Sequence, residues 1–117
     1  MKIKFLGTAA YEGIPSLFCN CAVCKQAREA GGRNLRSRSQ AIVNGELLLD
    51  FPADTVWHAQ RFGLDWNAIR SCLITHPHSD HFYPDDMVMG RPDFCHGNPP
   101  MNYYLSAAAE LRLEQEI

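Results

Sequence analysis

Residues 40–51 read QAIVNGELLLDF, and this stretch leaves the chain less choice than any other. Asn44-Gly45 separates two apolar runs, and both residue types tolerate the positive φ that a type I′ turn demands at its two central positions. Two antiparallel strands therefore meet there. KIKFLG at 2–7 reads as an opening strand ending at Gly7, SCLIT at 71–75 as a short buried strand, and NYYL at 102–105 as a later one. Helical signals lie between them. AVCKQAREA at 22–30 precedes a Gly-Gly stop, and residues 53–62 put Val56, Ala59, Gln60 and Phe62 at near-helical spacing before Gly63. In YPDDMVM, Pro84 and two acids suit a first helical turn, whereas TAAYEGIPSLF and FCHGNPP read as loops. SAAAELRLEQEI predicts a final helix capped by Ser106 that has no stop signal before Ile117, as if the architecture continued. These elements alternate, so the fold class is α/β (α+β). At 117 residues, 46% hydrophobic and 21% charged, the chain reads as one globular domain over 1–117 that hides roughly two thirds of its unfolded surface.

The chemistry is concentrated in two short segments. HPHSDH follows directly on the apolar SCLIT strand, and in extended chain residues two apart point the same way, so His76 and His78 can face one cation. Asp80 and His81 follow as the chain turns, able to bind the same ion or a second one a few Å away. The second segment, CNCAVC, gives Cys19, Cys21 and Cys24. Three thiolates supply three corners of a tetrahedral zinc site, although buried or redox cysteines would share that spacing. With five cysteines in all, an odd count, and only a three-residue apolar stretch behind the first lysines, the expected setting is a reducing, cytoplasmic one with no signal peptide. No run approaches the ~18 apolar residues of a membrane span. A net charge of −2 gives no global attraction to nucleic acid or to an anionic membrane.

HPHSDH resembles the H-x-H-x-D-H signature of the metallo-β-lactamase superfamily. KIKFLGTA is similar to that family's first strand and glycine turn, and LLLDF to its strand ending in an aspartate near the metals. The resemblance implies the N-terminal half of an αββα sandwich, with a mostly antiparallel or mixed sheet flanked by helices, and the C-terminal half absent. It implies that His76 and His78 bind a first metal and Asp80 and His81 a second, with Asp80 catalytic, and that Asp50 orients a ligand histidine by hydrogen bond. On burial alone, Asp50 is equally a carboxylate satisfied at a strand end. CNCxxC resembles a segment of the phosphoribosyl cyclic phosphodiesterase branch of phosphonate breakdown, which implies a structural Zn2+ on Cys19, Cys21 and Cys24 with a fourth ligand from far downstream. The pyrroloquinoline quinone protein B branch has a similar cysteine segment without the intact histidine loop.

The implied activity is metal-dependent hydrolysis of cyclic or small phosphodiesters by a hydroxide that two metals activate, Zn2+ or Mn2+ serving at the catalytic site. The further ligands that the family requires are not in this chain, so weak or no turnover is expected from it alone. The alternative is a zinc-stabilised, non-catalytic interaction module. Among enzymes, lactonase, thioesterase, ribonuclease-type and pyrroloquinoline quinone biosynthetic roles share the loop. The expected partners are a small phosphorylated substrate and a second copy, through an exposed core face. His58 reads as a surface or partly packed helix residue and His96 as a loop residue, and neither completes the metal set. Cys72 reads as core. Lys25, Arg28, Arg33, Arg36 and Arg38 would suit a phosphate but read more simply as a solvated basic face.

Overall fold

The computed structural model describes residues 1–97 and 99–116, so loop position Asn98 and the expected helix end at Ile117 lie outside the described residues. Five strands form one sheet in sequence order: β1 (Ile3–Gly7), β2 (Gln40–Val43), β3 (Leu47–Leu49), β4 (Ser71–Leu73) and β5 (Asn102–Tyr104). The pairs β1/β2 and β2/β3 are antiparallel, and β3/β4 and β4/β5 parallel. The sheet is therefore mixed. Three α-helices accompany it: α1 (Ala22–Ala30), α2 (Thr55–Phe62) and α3 (Ala107–Glu116). Pro84–Gly90 coils as a 3-10 helix, since seven residues between Pro84 and Pro92 are too few for much α-helical propagation.

The hairpin forms where expected, with one adjustment. Asn44 and Gly45 have φ of 53° and 69°, and the Glu46 N–H donates to Val43 O at 3.0 Å, closing the turn. Val43 nevertheless faces Leu47, which leaves Glu46 as an extra residue and puts Leu48 inward opposite Ile42. A one-residue change of register exchanges the two faces of a strand, so this bulge decides which leucine is core.

The sheet has two unlike faces. Cross-strand neighbours Ile42, Leu48 and Cys72 join Leu6, Phe51, Ile69, Ile74, Phe82 and Ala109 in the core, against which Phe62 of α2 and Leu113 of α3 pack. The opposite row runs Phe5, Ala41, Leu49, Leu73, Tyr104. Phe5 is 70% exposed, Leu73 41% and Tyr104 56%. The expected flanking by helices thus holds on one face. Helix ends follow their signals: Gly31 accepts the chain at φ 61° with its N–H on Ala27 O, Gly63 is left-handed, and Ser106 Oγ accepts the Ala109 N–H. No helix is long and apolar enough to cross a membrane among the described residues.

Candidate metal centres

Because β3 and β4 run parallel, their C-terminal ends open at one edge of the sheet, and each delivers a polar residue there. β3 ends at Leu49, and Asp50 turns with φ 71°, a left-handed conformation that costs a non-glycine residue on the order of 1 kcal/mol. The Asp50 N–H donates to Leu73 O at 2.8 Å. After Ile74 the chain leaves the sheet, loops through the histidines, and returns: the Phe51 N–H donates to His81 O at 2.8 Å and the Tyr83 N–H to Phe51 O at 2.7 Å. The loop is therefore tied at both ends to the segment carrying Asp50.

The Asp50 carboxylate organises that loop. It accepts the Thr75 N–H at 2.7 Å, the Thr75 hydroxyl at 2.9 and 3.0 Å, and the His81 ring at 2.6 Å from Nδ1 to Oδ2. A carboxylate only accepts, so the proton between them sits on His81 Nδ1. Thr75 has one hydroxyl proton, and giving it to Asp50 leaves its oxygen to accept from His76 Nδ1, 2.9 Å away. With Nδ1 of each ring engaged as donor, Nε2 is left as the nitrogen through which a neutral ring can bind a metal.

His76, Asp80 and His81 each offer a ligand atom, all within 4.8 Å of one another. Asp80 Oδ2 lies 3.4 Å from His81 Nε2, and the His76 and His81 ring centroids are 4.2 Å apart. Donors around a tetrahedral Zn2+ with bonds of about 2.1 Å stand roughly 3.4 Å apart, so two imidazoles and a carboxylate fit a divalent cation after small rotations. His78 is outside this group. Its exposed ring is 4.8 Å from that of His76, edge to face. The turn that bonds the His81 and Phe82 N–H groups to His78 O folds His81 back beside His76, with His78 on the other side of the His76 ring. Arg112 of α3 donates to the Pro77 carbonyl and ties the last helix to the loop.

Cys19, Cys21 and Cys24 form the second group, their sulfurs within 4.8 Å of one another. Each sulfur accepts a backbone N–H: Cys19 from Cys21 at 3.5 Å, Cys21 from Cys24 at 3.5 Å, and Cys24 from Ser16 at 3.4 Å. The Cys24 N–H, helped by hydrogen bonds with the Cys19 and Cys24 thiols, lowers the Cys21 thiol to about 7. Three convergent sulfurs, each with a donor directed at it, suit a thiolate-bound Zn2+. Cys72 is unlike them: it is buried in the core, and desolvation, then the Asp50 charge, push it up to about 12.

One sequence reading needs correcting. His58 is 0% exposed, bonded through Nδ1 to Gln40 Oε1 at 2.6 Å and through Nε2 to Ser37 Oγ at 2.7 Å. Its position in α2 faces the sheet at Gln40, which explains why a helix histidine is core and not surface. Arg28 and Arg36 are exposed, in keeping with a solvated basic face, and three of the arginines also bond the chain: Arg28 donates to Ser16 O, Arg36 to Thr8 Oγ1, and Arg38 to Asp54 and Tyr11 O. A groove of about 780 Å³ runs along β4 from Glu46, Arg70 and Ser71 to Leu73 and Tyr104, and none of the histidines lines it.

A mixed sheet with aspartate and histidines at the ends of two parallel strands defines a class, the metallo-β-lactamase fold. No family model matches the chain, and no curated protein does. Among solved structures, a diphosphatase of the PhnP family matches 98% of this chain at 26% identity and a TM-score of 0.77. Zn2+-bound PqqB from Methylobacterium extorquens matches 97% at 23% identity and a TM-score of 0.76. The short form of human tRNase Z matches 99% at 22% identity and a TM-score of 0.62. The chain spans 45%, 40% and 39% of those three chains, respectively. It has the fold of metallo-β-lactamase family proteins over that share of their length, and it is related to their hydrolases.

Proposed function

We propose that this chain supplies the histidine-loop part of a metal-dependent phosphodiesterase acting on cyclic or small phosphodiesters. The observation that carries the reading is the convergence of His76, Asp80 and His81 at the strand ends, with His81 held by Asp50 at 2.6 Å. The likeness to a PhnP-family diphosphatase favours a phosphorus-centred substrate. When bound, divalent cations there supply Lewis acidity and a lowered pKa for water. The chain's own residues do the positioning. Asp50 keeps the His81 proton on Nδ1, Thr75 does the same for His76, and Asp80 offers a carboxylate oxygen beside His81 Nε2. Asp80 is the group we assign to the reacting centre, and His78, exposed beside His76, completes the proposed ligand set. A cytoplasmic setting suits the free thiols of Cys19, Cys21 and Cys24.

The assay is hydrolysis of bis(p-nitrophenyl) phosphate with Zn2+ or Mn2+ added. Slow turnover that disappears in His76→Ala and in Asp80→Ala supports the reading; turnover indifferent to both substitutions overturns it. A second reading, a zinc-stabilised module without catalysis, is favoured by the three N–H donors aimed at the cysteine sulfurs. Zinc uptake at the thiols without any hydrolysis would select it.

A further inference from the structure

Behind Asp50 lies a buried polar chain that the proposed hydrolysis does not use, and each of its hydrogen bonds has a forced direction. Gln40, 2% exposed, places Nε2 3.1 Å from Asp50 O and 3.1 Å from Thr55 Oγ1. A carbonyl accepts only, so the amide nitrogen faces Asp50 and Oε1 faces His58. His58 must then donate from Nδ1, 2.6 Å from that oxygen, and its Nε2 accepts from the Ser37 hydroxyl at 2.7 Å. Thr55 is spoken for as well, since its hydroxyl donates to Pro52 O at 2.6 Å. The donors run one way, from Ser37 through His58 and Gln40 to the carbonyl of Asp50. The residue receiving them has a left-handed backbone, φ 71°. The chain is also sterically closed: a Cβ at Gly7 would lie 2.8 Å from Ser37 Oγ and 2.9 Å from His58 Cε1.

We infer that Gln40 and His58 are positioning residues, holding the Asp50 main chain in its turn so that the carboxylate keeps the His81 proton on Nδ1. The inference rests on the reading of His76, Asp80 and His81 as a cation site. Removing a partner behind a metal-ligating histidine typically costs 10–100-fold in metal affinity, and a relay one residue further back is expected at about the low end of that range.

The test is tautomer-resolved NMR of the imidazole nitrogens in the metal-free chain, well above the usual imidazole pKa, followed by zinc titration read at the same rings. The native chain should show Nδ1–H at both His58 and His81. Gln40→Met, similar in volume but without donor or acceptor, should leave far-UV dichroism unchanged, give His81 a mixture of tautomers, and weaken zinc about tenfold. A folded Gln40→Met with native His81 signals overturns the inference. If Gln40→Met does not fold, His58→Asn and His58→Leu decide. The Asn amide nitrogen can replace Nδ1 and should preserve the His81 tautomer, whereas Leu should lose it; identical His81 signals in the two variants overturn the inference. A native histidine loop that takes up no zinc sinks the metal reading instead, and the tautomer result still decides this one.

Discussion

At the scale of single residues, Asp50 combines an unfavourable backbone with a fully engaged carboxylate, and the two can be separated by substitution. Asp50→Gly relieves the positive φ but leaves the Thr75 and His81 donors without their acceptor, at about 2–3 kcal/mol. Asp50→Ala loses the acceptor and keeps the strain, so urea unfolding should rank Ala about 1 kcal/mol below Gly. Equal stabilities would mean that the turn carries no strain. His58 offers a pH signature. Burial lowers its pKa from the usual 6.5, with Asp54 raising it and Arg61 lowering it to smaller extents. The unfolded chain therefore binds this proton first as pH falls. Its contribution to stability is complete above about 6.5 and declines below, by up to about 1.4 kcal/mol per pH unit, until the folded-state value is passed. Melting curves of the native chain and His58→Asn should diverge below pH 6.5 and run parallel above it; parallel curves throughout would show that His58 titrates normally.

At the scale of elements, α1 begins at the cysteine cluster, because Cys21 is its N-cap and its sulfur accepts the Cys24 N–H. Zinc on the three thiols should therefore stabilise the start of this helix and the loop before it. With free ion at ~100 times its dissociation constant, the gain is about 2.7 kcal/mol, seen as a rise in melting temperature that chelation reverses. Cys21→Ser should remove that gain and His76→Ala should not; the opposite pattern would assign the stabilising ion to the histidines. The C-terminal ends of α1, α2 and β1 are legible in sequence because glycines mark them locally. The hairpin register is not, since Asn44-Gly45 specifies the turn while packing of Leu48 beneath the helices specifies the extra residue Glu46. The burial of His58 is not legible in sequence for the same reason: helical spacing gives a face, and only the neighbouring sheet says whether that face is covered.

At the scale of the whole molecule, the described chain is open. Its Cα radius of gyration is 15.2 Å, against about 13 Å for a compact domain of this length. The side of the sheet carrying Phe5, Leu49, Leu73 and Tyr104 has no helix packed on it comparable to α2 and α3 on the other. Contiguous apolar surface of this kind promotes association. We propose that copies of the chain associate face to face here, as two sheets stack ~10 Å apart. Light scattering with size exclusion should show a dimer or larger species, and Phe5→Lys combined with Leu73→Lys should shift it toward monomer. A native chain that is monomeric at high concentration would sink the idea.

Sequence by itself determined the local elements and the candidate ligands: seven ligand-type side chains in two short segments, a hairpin at Asn44-Gly45, and helix ends at Gly31 and Gly63. These follow from residue type and spacing, which act over a few positions. Tertiary structure alone decided that His76, Asp80 and His81 converge at the strand ends, with His81 held by Asp50. It also decided that His58 is buried against Gln40, and that one face of the sheet is packed and the other open. Those outcomes depend on contacts between residues 18 to 31 positions apart, where direction is set by how strands and helices pack and no local pattern records it.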